Sequence, residues 1–460
     1  MILKSINPHD QSVVGELEFS TPDQVKSTVV EARTAYEIWK EVPLEDRCTY
    51  VRKLKEKLIE NKEKLAKLIT LEMGKPLTQS LSEIDSELEF ISYYADNGPK
   101  FLGSETILEN DKELYKVTHE PYGVCACICP WNFPLSMVTS GVLPAIIAGN
   151  TVIVKPSEYT SLSQKMVGDL INETGLPKGV VNLVIGDNGV GQVLVDSDVD
   201  LVWFTGSTRA GMDIYKKCGE KFIRALLEMG GSSPAIVLDD AGIDNAVENL
   251  YWARYLNCGQ VCTAVKRLFV QSGIYDEFVG KLVEKVKSVK VGNPIEDNDI
   301  GPLVNPKQLH ILEEQVKDAI NKGSEVLTGG KRPISEVLKK GNYFEPTILS
   351  NITMDMKIME EETFGPVLPI VKFESVEEAI RMANNTDYGL SAEIYTSDLR
   401  KGEDIAKKIQ SGTVAINTDN FFKPECPFGG YKRSGMGREY GRIGMQEFAQ
   451  VKVIASSKTQ

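Results

Sequence analysis

The sequence predicts a doubly wound α/β fold in more than one domain. Short β-rich runs alternate with helix-length segments, few polar residues interrupt those runs, and 460 residues exceed what one core holds. Single cores stop growing at roughly 250 to 300 residues, so two or three domains are expected. Along the chain, Thr21-Pro22-Asp23-Gln24 reads as a helix N-cap with proline at the first position. Val25, Val29, Ala32, Tyr36 and Trp39 then follow at helical spacing. Val51, Leu54, Leu58, Leu65, Leu68 and Met73 mark one face of a second helix that ends at Gly74-Lys75-Pro76.

From Gly123 the pattern becomes a βαβ succession, with strands expected at Gly123 to Cys129, Thr151 to Lys155, Val180 to Ile185, Val199 to Phe204 and Ala235 to Leu238. Runs of this kind are buried on both faces, which implies a mainly parallel sheet with right-handed crossovers. A second α/β set has strands at Arg267 to Gln271, Pro366 to Val371, Leu390 to Tyr395 and Thr413 to Ile416, with helices at Tyr275 to Val286 and Pro306 to Asn321. The cluster Gly230-Gly231-Ser232-Ser233-Pro234 marks the boundary between the two sets.

Composition narrows the function classes. The net charge of −13 offers no basic excess for neutralising phosphates, which argues against a nucleic-acid or anionic-membrane binder. The longest apolar stretches, such as Val142 to Ala148, fall far short of the ~20 residues that cross a bilayer. The start Met1-Ile2-Leu3-Lys4 has no secretory pattern, so a cytoplasmic location is expected. The eight cysteines are too sparse for a disulfide scaffold and read as free thiols. Cys125, Cys127 and Cys129 alternate along one strand face without the spacing of zinc ligands, and no metal is expected.

Three segments carry candidate chemistry. Cys262 lies in the polar, glycine-containing loop Asn257-Cys258-Gly259-Gln260-Val261-Cys262-Thr263-Ala264, where rigid flanking elements can present a nucleophile. Phe204-Thr205-Gly206-Ser207-Thr208 ends a strand and opens a helix, placing main-chain N–H groups where a pyrophosphate can approach. Gly186, Gly189 and Gly191 have the wrong order for the G-x-G-x-x-G fingerprint. Leu227-Glu228-Met229-Gly230-Gly231 puts a carboxylate at the end of an apolar run, where burial raises its pKa toward that of a useful base. The three histidines, His9, His119 and His310, accompany none of these segments, which disfavours Ser-His or Cys-His catalysis.

Together with PWNFP at 130–134, VIVKPSE at 152–158, GLPKGVVNLV at 175–184, EETFGPV at 361–367 and PFGGYKRSG at 427–435, these segments resemble the aldehyde dehydrogenase superfamily over essentially the whole chain. The resemblance implies a Rossmann-like cofactor domain (1–100 and 122–231), an α/β catalytic domain (232–446) and a small β oligomerisation element (101–121 and 447–460). It further implies NAD(P)-dependent oxidation of an aldehyde to a carboxylic acid through a cysteine thiohemiacetal and thioester. Cys262 is then the nucleophile, Asn132 an oxyanion donor, Glu228 the general base and Glu439 a second carboxylate linked to proton relay.

By the same similarity, Trp131 walls the adenosine side, Lys155, Ser157 and Glu158 surround the adenosine ribose, Phe204, Gly206 and Ser207 approach the pyrophosphate, and Glu362 and Phe364 meet the nicotinamide ribose. A carboxylate at Glu158 accepts from a ribose 2′-OH and repels a 2′-phosphate, so NAD is expected, with NADP the alternative because Ser157 is small and Lys155 near. Phe133, Met137, Val261, Thr263, Phe421 and Phe422 outline the substrate pocket. Relatives specific for succinic semialdehyde often carry an arginine in the helix after PWNFP, where this chain has Met137-Val138-Thr139-Ser140-Gly141 and Ser140 supplies no charge. A small aliphatic or hydroxy-aldehyde is therefore the first choice, with succinic semialdehyde the alternative, its cation supplied by Lys423 or Arg433. A CoA-acylating relative and a non-catalytic protein on the same fold are further alternatives, both disfavoured by the intact Cys262, Glu228 and Asn132. A homodimer or homotetramer is expected. Departures include Ser232 after Met229-Gly230-Gly231, where lysine is commonest, and Cys258 near the nucleophile, which raises the idea of a reversible Cys258–Cys262 disulfide.

Overall fold

Thr21 opens the first helix, Pro22–Trp39, through a reciprocal cap: its hydroxyl accepts from the Gln24 amide and the Gln24 side chain accepts from the Thr21 amide. The second helix, Leu44–Met73, stops at Gly74, whose φ of 86° suits glycine. A third, Leu77–Leu102, has no counterpart in the expected elements. It buries Glu83 and Glu87 along the same face as Ile84, Phe90, Ile91 and Tyr94, so its apolar stripe is broken by carboxylates. In this computed structural model, which describes residues 1–458, the three helices pack on the first of two large open sheets.

That first sheet has the order Gly435–Met436, Arg224–Glu228, Leu201–Thr205, Val124–Ile128, Thr151–Lys155, Val181–Leu183. All neighbours are parallel except the edge pair, where Gly435 and Met436 run antiparallel to Glu228 and Leu227. Val124–Ile128 and Thr151–Lys155 are buried along their full length, as a sheet covered on both faces demands. Arg224–Glu228, read from the sequence only as an apolar run, is the strand that delivers Glu228 to its carboxyl end.

The second sheet has seven strands in the order Glu325–Thr328, Thr347–Ser350, Val367–Phe373, Val265–Gln271, Ser233–Val237, Ser391–Tyr395, Thr413–Ile416. Only the pair Glu325–Thr328 and Thr347–Ser350 is antiparallel. Ser233–Val237, expected at Ala235 to Leu238 as the last run of the first succession, is central here. Its fully buried run has parallel neighbours on both sides. The chain therefore crosses between sheets at 229–232. It returns near its end, where Tyr440, Met445 and Phe448 join the core of the first sheet.

Two smaller sheets complete the fold. Ile2–Ile6 pairs with Val13–Glu18, and Ala449–Ser457 pairs with Glu113–Pro121, which pairs with Glu105–Glu109. The latter sheet leaves Ile107, Leu108, Val451, Val453 and Ile454 exposed. Residues 459 and 460 of the expected 447–460 element lie outside the described residues. Among the described residues, no helix is long and apolar enough to cross a membrane.

Candidate active site

Three consecutive residues before the cysteine loop, Asn257, Cys258 and Gly259, have φ of 52°, 56° and 71°. Such backbone costs about 1 kcal/mol or more for each non-glycine residue and persists only where its surroundings impose it. Gly259 is obligatory, because a Cβ there would lie 2.3 Å from the Gly365 carbonyl oxygen. The Asn257 side chain donates to the carbonyls of Asn132 (2.9 Å) and Gln260 (3.3 Å), and Asn132 Nδ2 donates to the same Gln260 carbonyl (3.1 Å). Gln260 in turn donates to the Asn257 carbonyl at 3.1 Å and accepts from the Val304 amide at 2.9 Å. Asn132 is thus tied to the loop two residues before Cys262.

The PWNFP segment is fixed from below by a buried ion pair. Lys75 meets Glu83 at 2.5 Å, and its ammonium lies 3.8 Å from the centre of the Phe133 ring. The other Glu83 oxygen accepts from the amides of Leu135 (3.0 Å) and Ser136 (3.2 Å), in the first turn of helix Pro134–Ala148. A carboxylate there satisfies orphan N–H groups and complements the helix dipole.

Cys262 is half-buried, and burial pushes its thiol up to about 12. Lys266 pulls it down, while Glu362, Glu228 and Glu439 push it further up. Glu228 is buried, with no hydrogen-bond partner for Oε2 among the described residues, and it rises well above the usual carboxylate range through burial and then through Glu439, against Arg438. Burial also carries Glu439 up to about 7, opposed by the Trp203 indole N–H at 2.7 Å and reinforced by Glu87. Glu87, itself up to about 7 by burial, accepts from the Thr139 hydroxyl at 2.5 Å. Burial thus raises both Glu228 and Glu439, the two carboxyls that act on the nucleophile from the first sheet's side.

The glycine pair 230–231 lets two segments close on this loop. A Cβ on Gly230 would lie 2.2 Å from Glu362 Oε2, and one on Gly231 would lie 2.7 Å from the Cys262 carbonyl oxygen. The Gly231 amide donates to Glu362 Oε1 at 3.0 Å. Lys266, wholly buried at the start of strand Val265–Gln271, donates to the Cys262 carbonyl at 2.7 Å and to Glu362 Oε1 at 2.8 Å.

The expected cofactor residues follow the carboxyl edge of the first sheet. Lys155 ends its strand, buried, with Nζ 3.4 Å from Glu158 Oε2. Ser157 donates its amide to Gln164 Oε1 at 2.6 Å and takes the Tyr159 amide on its hydroxyl at 3.3 Å. Phe204 lies in the strand that leads to Gly206, whose amide bonds the Glu228 carbonyl at 3.0 Å, and Ser207 caps helix Thr208–Lys221. Trp131 and Phe364, from opposite halves of the chain, meet edge to face with ring centres 5.4 Å apart.

Of the expected pocket residues, Met137 and Phe421 pack on the same core as the nucleophile Cys262. Phe422, more exposed, contacts Phe90 (5.4 Å), Tyr440 (4.9 Å) and Phe428 (5.2 Å) between ring centres. Val261 and Thr263 flank the nucleophile in the loop, and Thr263 O accepts from Ser391. Ser140 is buried and faces Tyr440. Arg433, one suggested cation, is engaged by Asp387 at 2.8 Å. Cys258 belongs to the core of the second sheet, and both it and Cys262 are free thiols.

Sequence reasoning missed Lys75, Glu83, Glu87, Trp203 and Lys266. The available signal was a charged residue inside an apolar stripe, visible at Glu83 and Glu87 in their helix and at Lys266 in its strand.

Two open α/β sheets joined by a glycine crossover, with a thiol loop and buried carboxyls gathered at the crossing, define an α/β oxidoreductase. The aldehyde dehydrogenase family model matches residues 2–454, and the chain belongs to that family. It is 38% identical over 454 residues to betaine aldehyde dehydrogenase of Bacillus subtilis (strain 168), covering 98% of this chain and 93% of that one. It is 39% identical over 438 residues to the mitochondrial succinate-semialdehyde dehydrogenase of Rattus norvegicus, covering 94% of this chain and 83% of that one. The crystal structure of Staphylococcus aureus betaine aldehyde dehydrogenase in complex with NAD+ superposes with a TM-score of 0.96 at 36% identity, covering 100% of this chain and 92% of that one.

Proposed function

We propose that this enzyme oxidises a small aliphatic or hydroxy-aldehyde to its carboxylic acid, with Cys262 as nucleophile and NAD as the favoured oxidant. The observation that carries the reading is the convergence on one thiol of Glu228, Glu439 and Glu362, with the Asn132 amide tied to the same loop. The turn Gly206-Ser207 at a helix N-terminus suits a pyrophosphate, and Glu158 suits a ribose diol, so the residues present fit a dinucleotide. When bound, it supplies the hydride acceptor.

In this reading the Cys262 thiol releases its proton to solvent and the sulfur adds to the aldehyde carbon. The second Asn132 Nδ2–H and the Cys262 amide stabilise the developing oxyanion, each donor contributing about 3 to 4 kcal/mol in comparable sites. Loss of hydride leaves a thioester on Cys262. Water attacks it as Glu228 takes the proton, releasing the acid and restoring the thiol. Glu228 holds its own proton until a neighbour accepts it, a role this reading gives to Glu439, whose charge acts on Glu228.

The pocket supports an uncharged substrate tail. Phe421, Phe422 and Met137 are apolar, Ser140 supplies no charge, and the ionisable carboxyls facing Tyr440 are Glu439 and Glu87, which disfavour an anionic tail. The domain division into 1–100 with 122–231, 232–446, and 101–121 with 447–460 belongs to the same proposal. So does a homodimer or homotetramer, since the exposed Ile107, Val451, Val453 and Ile454 lie on an uncovered sheet. Eight free cysteines suit a reducing, cytoplasmic compartment.

NADH formation from a panel of aliphatic, hydroxy- and succinic semialdehydes, with and without CoA, tests the reading. It expects activity without CoA, highest kcat/KM for small uncharged aldehydes, and loss of activity in Cys262→Ser. A requirement for CoA, or a C262S variant as active as the parent, would overturn it.

A further inference from the structure

We propose that Lys266 is a positioning residue that couples the cofactor-ribose carboxylate, Glu362, to the main chain of the nucleophile. The inference rests on the assignment of Cys262 and Glu362 above. An ammonium has three N–H donors. Two of the Lys266 donors reach the Cys262 carbonyl and Glu362 Oε1 at 2.7 and 2.8 Å, and the Phe364 ring centre lies 5.5 Å from Nζ. The Lys266 side chain is 0% exposed, whereas that of Glu362 is 21% exposed. The rigid end of the pair is therefore the lysine beneath the nucleophile, and the end open to a ligand is the carboxylate.

A lysine is a costly choice at this position. It is the second residue of a strand whose Val265, Leu268, Phe269 and Val270 pack into the second core, and an ammonium removed from water is tolerated only with charged partners. Burial accordingly lowers its pKa, with Glu362 and Cys262 opposing that shift and Arg254 adding to it. The same ammonium draws the Cys262 thiol toward ionisation, whereas Glu362, Glu228 and Glu439 act the other way. A ribose that engages the Glu362 carboxylate competes with Lys266 for it and leaves more of the lysine's field on the thiol. Cofactor binding and thiol reactivity are then linked, and by thermodynamic reciprocity each alters the other.

The test follows alkylation of Cys262 by iodoacetamide across pH, read at the Cys262 peptide by mass spectrometry, in the full-length enzyme with and without NAD. Steady-state kinetics are measured alongside. The variants are Lys266→Met, Lys266→Gln, which keeps a donor without charge, and Lys266→Arg. In the parent, NAD is expected to shift the alkylation profile to lower pH. In K266M the profile without NAD moves up by about 1 pH unit, NAD no longer shifts it, and KM for NAD rises roughly tenfold. K266R restores most of both effects, and K266Q retains the pH shift if K266M does not fold. An alkylation profile in the uncharged variant that overlays the parent's, or one that NAD still shifts fully, overturns the proposal. Failure of the parent enzyme to form NADH from any aldehyde would instead reject the reading on which it rests.

Discussion

The Trp203 indole N–H donates to Glu439 Oε1 at 2.7 Å inside a site where both side chains are buried. The approach depends on Gly141, since a Cβ there would lie 2.8 Å from two carbons of the Trp203 ring. The bond favours the charged form of Glu439, which burial alone would suppress. Trp203→Phe keeps the packing and removes the donor. With Glu439 as proton acceptor for Glu228, the acid limb of the kcat profile should move upward by roughly 1 pH unit. A limb that stays in place would mean that Glu439 does not take part in the rate-limiting proton transfer.

Glu228→Gln separates the two halves of the proposed reaction. Among the described residues Oε2 of Glu228 has no hydrogen-bond partner, so an amide there breaks no hydrogen bond at that atom. Hydride loss does not use this group, whereas hydrolysis of the thioester does. Stopped-flow absorbance should therefore show a burst of NADH near one equivalent per site. The following steady rate should be lower by about 10² to 10⁴. Loss of the burst along with turnover would assign Glu228 to an earlier step.

Gly230 and Gly231 are adjacent, yet an added methyl group meets different partners at each. At Gly230 it falls on the Glu362 carboxylate, and at Gly231 on the Cys262 carbonyl and the Leu390 side chain. Gly230→Ala should raise KM for NAD about tenfold while leaving the thiol in place. Gly231→Ala should lower kcat by up to about 10², the scale of a misplacement near 1 Å. Equal effects of both variants on both constants would indicate a shared folding defect instead.

Local chemistry made much of the fold legible. Thr151–Lys155, Thr413–Ile416 and Pro306–Asn321 match their expected ends, because β-branched runs and an Asn305-Pro306 start are signals carried by neighbours in sequence. Leu77–Leu102 was not legible, since Glu83 and Glu87 occupy positions that a stripe would give to apolar residues. Their reason for being there is Lys75, Leu135, Ser136 and Thr139, which only tertiary folding brings close. The site divides in the same way. Cys262, Glu228 and Asn132 sit in short motifs, whereas Trp203 and Glu439 are 236 residues apart and Lys266 and Glu362 are 96 apart. Spacing along a chain carries no signal for such pairs.

Glu393 lies in strand Ser391–Tyr395 of the second sheet, buried, with the Tyr395 hydroxyl donating to Oε2 at 2.6 Å. Burial, reinforced by Asp419 and opposed by that hydroxyl, pushes its carboxyl from 4.5 up to about 8. A raised pKa means that the folded state binds the proton more tightly than the unfolded chain does. Its contribution is fully present below pH 4.5 and is lost as pH rises toward about 8. Glu393→Gln keeps the acceptor for Tyr395 and does not titrate. The parent should therefore lose stability relative to the variant across that window, and the difference should level off above it. Glu87 and Glu439 also rise to about 7, but they titrate alike in both proteins and cancel in the comparison. Thermal unfolding at one scan rate, repeated across pH, measures the difference, and a constant offset between the two proteins would show that Glu393 is already ionised in the fold.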